Sequence, residues 1–473
     1  MNTATDKLDA ARSTQGTQGT LEPHEQSSIA GKIDPFLVRL LIVMSMTFSL
    51  LPPGFNWGNT DPQGSYAEGS LIFQMEFGSV FLIGAWLAWR NRGWSLRHVL
   101  HLNPLLIAII LYCLITILWS PYPVVTLKRS VQLIGLTLVG IAISPPIGGK
   151  HQLIRTMLGT LMTLMAFSFV VSLVLPRIGV DYELGGAWRG ILTQKNTLGA
   201  ISGLCVVLWI KESLGTTFPR SICYFGILFS LFMLVMAKSS TAILVATLGT
   251  GIYLLIRRRY LTGEFDGRKL TISLAVIILL SFHIFYVFNG RLPEWNELFA
   301  PFGALFNKST DLTGRTDIWR LVLLEVQRHP VFGIGYGAFW LGEGSPSQMI
   351  ITALHWIPLQ AHNGYLDILN ELGIVGLVIM AGVFVFHILN LIKLTRIDRE
   401  EAAIHWAMLI LILISNLSES EVFRGVLFQN IFFIYSSTAI SARLTVHRME
   451  QAERRKQAEQ DPSPDSVPRG AVP

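Results

Sequence analysis

Three residues have the chemistry and the setting to act on a substrate: His362 in AHNGYLD, Arg315 in TGRTDIWRLVLLEV and Arg189 in AWRGILTQKN. An imidazole titrates near neutral pH and can take the proton of a hydroxyl. A guanidinium stays charged and grips phosphate or carboxylate oxygens in pairs. Read as a helix from Arg315, Trp319 and Val322 fall at i+4 and i+7, so the guanidinium shares the face that docks on the protein and points inward. From Asn363, the same spacing reaches Asp367 and Asn370, which makes one face of that helix entrance polar. Arg189 precedes a polar Gln194, Lys195, Asn196 cluster at the outer end of an apolar run, where a charge is costly unless it faces a cavity or a partner.

His362 and Asn363 are followed, after nine residues, by Gly373 and Gly376 spaced as GxxG. This resembles the H[N/S/Q]-x9-GxxG pattern of the O-antigen ligase and polymerase superfamily, membrane glycosyltransferases that act on polyprenyl-linked sugars. The GRTDIW run and the stretch Pro330, Gly333, Gly335 are similar to the same family's signature. The match is close from about Gly314 to Gly376 and elsewhere extends only to hydropathy.

The resemblance implies a central role for His362 and diphosphate contacts by arginines, here Arg315 and Arg189. A departing diphosphate can be neutralised by a divalent metal or by arginines, and the outer loops carry no evident Asp-x-Asp pair. We therefore expect no metal and no soluble cofactor, with a polyprenyl-diphosphate-linked glycan as donor. Lys195 with Asn196, Arg320 and Asn363 are candidate substrate-binding residues. Lys195 has the alternative of snorkelling to the headgroups, and Arg320 that of lying on the rim. In the turn SNLSESEVFR, Glu419, Glu421 and Arg424 could orient an acceptor sugar or pair with one another. Gly373 and Gly376 read as small residues that let membrane helices approach closely.

The composition agrees with a membrane setting. Of 473 residues, 51% are hydrophobic and 14% charged, with mean hydropathy +0.49, against about 25% charged in soluble domains. The net charge of +6 comes from Lys and Arg in short loops between apolar runs, which is the positive-inside pattern and not a nucleic-acid face. Cys113, Cys205 and Cys223 lie within apolar runs and act as small hydrophobes.

Apolar segments near residues 36–52, 70–89, 103–119, 130–145, 152–176, 191–210, 220–237, 239–256, 270–289, 364–392, 402–417 and 425–442 predict an all-α polytopic membrane protein of about twelve transmembrane helices. Residues 1–33 read as a disordered cytoplasmic start, 34–445 as the transmembrane domain and 446–473 as a disordered cytoplasmic tail. Residues 290–363 form the one long outer loop, and Trp295, Trp319, Trp340 and Trp356 are expected at the membrane interface. Lys128 and Arg129 break the charge rule, since this arrangement puts them outside; a miscount of two helices or a role at the site would explain them.

The resemblance points to an inverting transfer or polymerisation of undecaprenyl-diphosphate-linked oligosaccharide at the outer face of the bacterial inner membrane, and overall layout favours a polymerase. A ligase passing glycan to lipid A core is the alternative, and a chain-length regulator a conceivable protein partner. A transporter or flippase is the rival from another class; it predicts charges deep within several helices and broken helices near the midplane.

Overall fold

The computed structural model describes residues 34–57, 70–144, 152–257 and 313–460. The apolar segment at 270–289, the first part of the long loop with Trp295, and the N-terminal 33 residues lie outside the described residues. Every other expected apolar segment lies on a helix. In chain order these are α1 (Pro35–Leu50), α2 (Leu71–Arg90), the short α3 (Arg92–Val99), α4 (Pro104–Ile115), α5 (Pro123–Ile143) and α6 (Gln152–Val174). A two-residue hairpin of β1 (Val180–Asp181) and β2 (Ala187–Trp188) is a small departure from the all-α expectation. Then follow α7 (Lys195–Ser213), α8 (Arg220–Met236), α9 (Ser240–Arg257), α10 (Thr313–Val326), α11 (Gln348–Leu354), α12 (Gly364–Ile397), α13 (Arg399–Ser415) and α14 (Phe428–Gln460).

Among the described residues, five helices are long and apolar enough to cross a membrane, or six if the pair Arg92–Val99 and Pro104–Leu118, bent by 93°, counts as one span. Among the other expected segments, those on α1 and α8 form apolar helices that are shorter. The last helix continues to Gln460, well past residue 446, where composition alone read a disordered tail. Its polar turns TVHRMEQAERRKQAEQ are rich in Glu, Gln, Lys and Arg, all good helix formers, so the α14 helix continues after the apolar stretch ends.

Local sequence sets the helix starts. Proline opens α1, α4 and α5, where its missing N–H costs nothing. Asp34 and Asn103 cap the first two of these, each accepting backbone N–H bonds. Helices pack as neighbouring pairs, α9 on α13, α7 on α8 and α9, and α2 on α5.

One break organises the rest. Within α12, Gly373 adopts φ 66° and ψ −167°, and the loop from Pro330 enters the gap. In an unbroken helix the amides of Ile374 and Val375 would bond the carbonyls of Asn370 and Glu371. Instead they donate to the carbonyls of Pro330 and Val331 at 3.0 and 3.2 Å, while Ile334 and Gly335 donate to the Asn370 and Glu371 carbonyls at 3.1 and 2.9 Å. The loop thus replaces both lost rungs of the helix ladder, and the Tyr112 hydroxyl closes the gap against the Phe332 and Leu372 carbonyls. A Cβ on Gly373 would strike the Val331 carbonyl, and one on Gly333 the Glu371 backbone. Gly373 and Gly333 therefore serve each other at a helix break, not a close crossing of two helices, and a Cβ on Gly376 would meet Leu372 of the same helix.

Candidate functional site

The segment expected as a loop is largely packed. Ile318, Val322, Ile334, Phe339 and Ile350 form a buried cluster beneath α10 and α11. Trp340 is buried and donates to Asp367 at 2.7 Å, and Trp319 donates to the Ala361 carbonyl at 2.8 Å. These two tryptophans fasten the loop from inside, Trp340 enclosed by protein and so away from any lipid interface and Trp319 partly buried, whereas Trp356 is 48% exposed.

Asp367 is also bound by Arg424 Nη1 at 2.9 Å and by the Ala361 amide, and Arg424 Nη2 donates to the Leu359 carbonyl at 3.1 Å. The polar face of α12 therefore turns inward and clamps residues 359–361. Arg424 is held in that clamp with 16% of its side chain exposed. Asn363 caps α12, accepting from the Tyr365 and Leu366 amides, so its carbonyl oxygen is likewise committed to structure. Between clamp and cap stands His362, held at φ 51°, a left-handed conformation uncommon for a residue with a Cβ and characteristic of functional positions.

The side chains converge on Glu419, in the turn between α13 and α14. Its Oε2 lies 3.1 Å from His362 Nδ1 and accepts from Gln360 Nε2 at 2.8 Å. Its Oε1 accepts from Asn196 Nδ2 at 2.8 Å and from Arg315 Nη2 at 3.3 Å. Burial works to raise the pKa of this carboxyl, but the hydrogen bond and charge of His362, with Arg315 and Asn196, more than offset it and hold the group below its ordinary value. Glu419 is thus an anion shared by the base candidate on the α12 loop, the arginine of α10 and the amide at the start of α7. Arg315 and His362 each keep about a quarter of the side chain exposed.

Two residues along the turn, Glu421 behaves oppositely. Burial, then the nearby charge of Glu419, push its pKa up to about 7. Its backbone amide donates to Asn416 Oδ1 at 3.2 Å and its Oε2 accepts from the Gln429 amide at 3.4 Å. It helps to order the turn.

Not every expected residue joins this cluster. Arg189 donates Nε–H to the Ile178 carbonyl at 2.9 Å, and no hydrogen bond or ion pair links it to Glu419, His362 or Arg315 among the described residues. Lys195 is half-buried and Arg320 exposed on the outer side of α10. Arg129, one of the two misfits of the charge rule, donates to the Gly337 carbonyl at 2.6 Å, while Glu371 accepts from the Gly337 amide at 2.7 Å; its charge serves the loop beside the site. Sequence reading gave Glu419 no more weight than its neighbours and missed Gln360. The one signal for Gln360 was its place two residues before His362. Among the described residues, no group of three or more His, Cys, Asp or Glu side chains is arranged to hold a metal ion.

Residues 225–381 match the family model described as O-antigen ligase. The chain is similar to the O-antigen ligase and polymerase superfamily. The matched region holds Arg315, Arg320, His362 and Asn363, and ends before Glu419. The chain is also 22% identical over 297 residues to the exopolysaccharide production protein ExoQ of Rhizobium meliloti (strain 1021), covering 59% of this chain and 62% of that protein. It thus spans about three fifths of the length of the curated relative it matches. Family match, relative and apolar helices together support a membrane protein similar to proteins of polysaccharide biosynthesis.

Proposed function

We propose that this protein is a membrane glycosyltransferase that transfers or polymerises undecaprenyl-diphosphate-linked oligosaccharide at the outer face of the bacterial inner membrane, with both termini cytoplasmic. The observation that carries this reading is the single carboxylate, Glu419, bonded at once to His362 and Arg315. A base and a phosphate-gripping cation held side by side are what transfer from a lipid diphosphate to a hydroxyl needs. The acceptor hydroxyl gives its proton to His362 as its oxygen bonds the anomeric carbon. The anomeric C–O bond breaks at the same carbon, its electron pair leaves on the lipid diphosphate, and Arg315 receives that charge. Arg189, Lys195 and Arg320 are candidates for the outer phosphate and sugar contacts, reached once the donor is bound. Attack opposite the leaving group inverts the anomeric configuration, and no metal takes part.

Polymerisation is favoured over ligation to lipid A core, in keeping with the layout of the chain and with a relative named for exopolysaccharide production. The test is complementation of a deletion strain with wild type, His362→Ala and Arg315→Ala, with each protein's membrane level measured. Both variants should reach the membrane yet restore no long polysaccharide. Loss of long chains with single repeat units still exported marks a polymerase, and loss of glycan-capped lipid A core marks a ligase. Full restoration by both variants would overturn the assignment.

A further inference from the structure

We infer that Glu419 is the positioning residue of this site, fixing the His362 tautomer so that Nδ1 carries the proton and Nε2 faces the acceptor as a free base. The inference rests on the proposed role of His362 and adds a residue beyond the family-matched region.

The hydrogen-bond geometry carries it. The Ser420 amide can only donate, and it donates to Gln360 Oε1 at 3.1 Å. That contact fixes the Gln360 amide, so its Nε2 is the NH2 group and can only donate. His362 Nδ1 therefore sits between two unlike neighbours, the donor Gln360 Nε2 at 3.2 Å and the acceptor Glu419 Oε2 at 3.1 Å. If Nδ1 were bare it would accept from Gln360, and the ring proton would sit on Nε2, useless for proton abstraction. If Nδ1 is protonated it donates to a carboxylate. The second bond is charge-assisted and about twice as strong as the neutral alternative, and Gln360 loses nothing, because its NH2 already donates to the same Oε2 at 2.8 Å. Nε2 makes no hydrogen bond among the described residues and belongs to a side chain that is 26% exposed, so it is the nitrogen left to meet a hydroxyl.

The carboxylate acts again once His362 holds the acceptor proton, since it then faces an imidazolium through Nδ1–H. This is the base-and-orienter arrangement of nucleophilic hydrolases, applied here to a sugar hydroxyl. The other charged groups facing the pair are Arg315 on α10 and Glu421 in the same turn. From α7 only the neutral Asn196 amide reaches Glu419.

The experiment uses the full chain in nanodiscs, with lipid-linked glycan extracted from a strain lacking this protein. Product formation is followed from pH 5 to 9 for wild type, Glu419→Gln, Glu419→Asp and His362→Ala. Glu419→Gln should lower kcat by about 100-fold or more and move the acid limb of the kcat profile to lower pH, the direction that loss of a contacting opposite charge brings. Glu419→Asp should recover part of the rate with the acid limb near its wild-type position. A merely structural carboxylate would lower the amount of active protein in both variants and leave the limb in place, and that outcome would overturn the inference. Wild-type turnover by His362→Ala would instead overturn the proposed function, so the two failures are distinct.

Discussion

The two ends of the helix bundle treat charge differently. At the end away from the site, cations and acids meet in small local pairings. Lys211 and Arg155 share Glu212, Arg257 faces Glu400 at 3.8 Å, and Arg443 faces Glu401 at 3.3 Å. At the site end, one nearly buried carboxylate is shared by a histidine, an arginine and two amides drawn from α7, α10 and the α12 loop. Each of these pairings draws on residues of only two neighbouring helices. The Glu419 cluster leaves both Arg315 and His362 partly open around a single carboxylate. Convergence from distant segments, with partial exposure, sets the Glu419 end apart.

Substitutions sharpen the contrast. The largest folding effect is expected where a pair at the site end is structural. Arg424→Ala leaves the buried Asp367 carboxylate uncompensated, at a cost of about 3–5 kcal/mol, visible as loss of monodisperse protein and a lower Tm. Arg315→Ala leaves Glu419 bonded to Asn196, Gln360 and His362, so the fold should survive with a smaller loss of Tm than in Arg424→Ala, while polymer is abolished. If Arg315→Ala unfolds the protein as Arg424→Ala does, the distinction between clamp and site fails.

Gly373→Ala comes next. It places a Cβ at positive φ and against the Val331 carbonyl, for about 1–3 kcal/mol of backbone strain before the collision is counted. Thermal melting should show it, and proteolysis should show the 330–341 loop released.

Glu421 gives a smaller, pH-dependent effect. Its carboxyl binds a proton more tightly in the folded chain, near 7 against an ordinary 4.5, so folded protein gains from proton uptake below that range. Stability should fall as pH rises from about 4.5 to about 7 and level off above it. Glu421→Gln should flatten that slope, as read from Tm against pH. Smallest of all is Arg257→Ala at the opposite end. It breaks a long, exposed pair worth at most about 1 kcal/mol and should leave polymer length unchanged.

Much of this was legible in the sequence, and the reasons are local. Helical periodicity alone turns Arg315 inward, where it meets Glu419. The His-Asn pair locates His362 at a helix entrance, whereas Gly373, which reads as a close helix contact, lies at a break in α12. What periodicity cannot carry is contact between distant segments. Glu419 lies 57 residues from His362 in a turn with two other charged residues, and nothing in its neighbourhood separates it from Glu421. Arg424 reads like a ligand-binding arginine until the fold shows Asp367 occupying it. The interfacial reading of Trp340 failed because an indole N–H can be satisfied equally by a buried carboxylate.

The most direct measurement is the split between donor binding and turnover in purified protein, using the extracted lipid-linked glycan as probe, for His362→Ala and Arg315→Ala. His362→Ala should bind the donor with near wild-type affinity and not turn over, while Arg315→Ala should lose donor affinity together with turnover. Wild-type kcat in His362→Ala, or unchanged donor affinity and rate in Arg315→Ala, would contradict a single site built on Glu419.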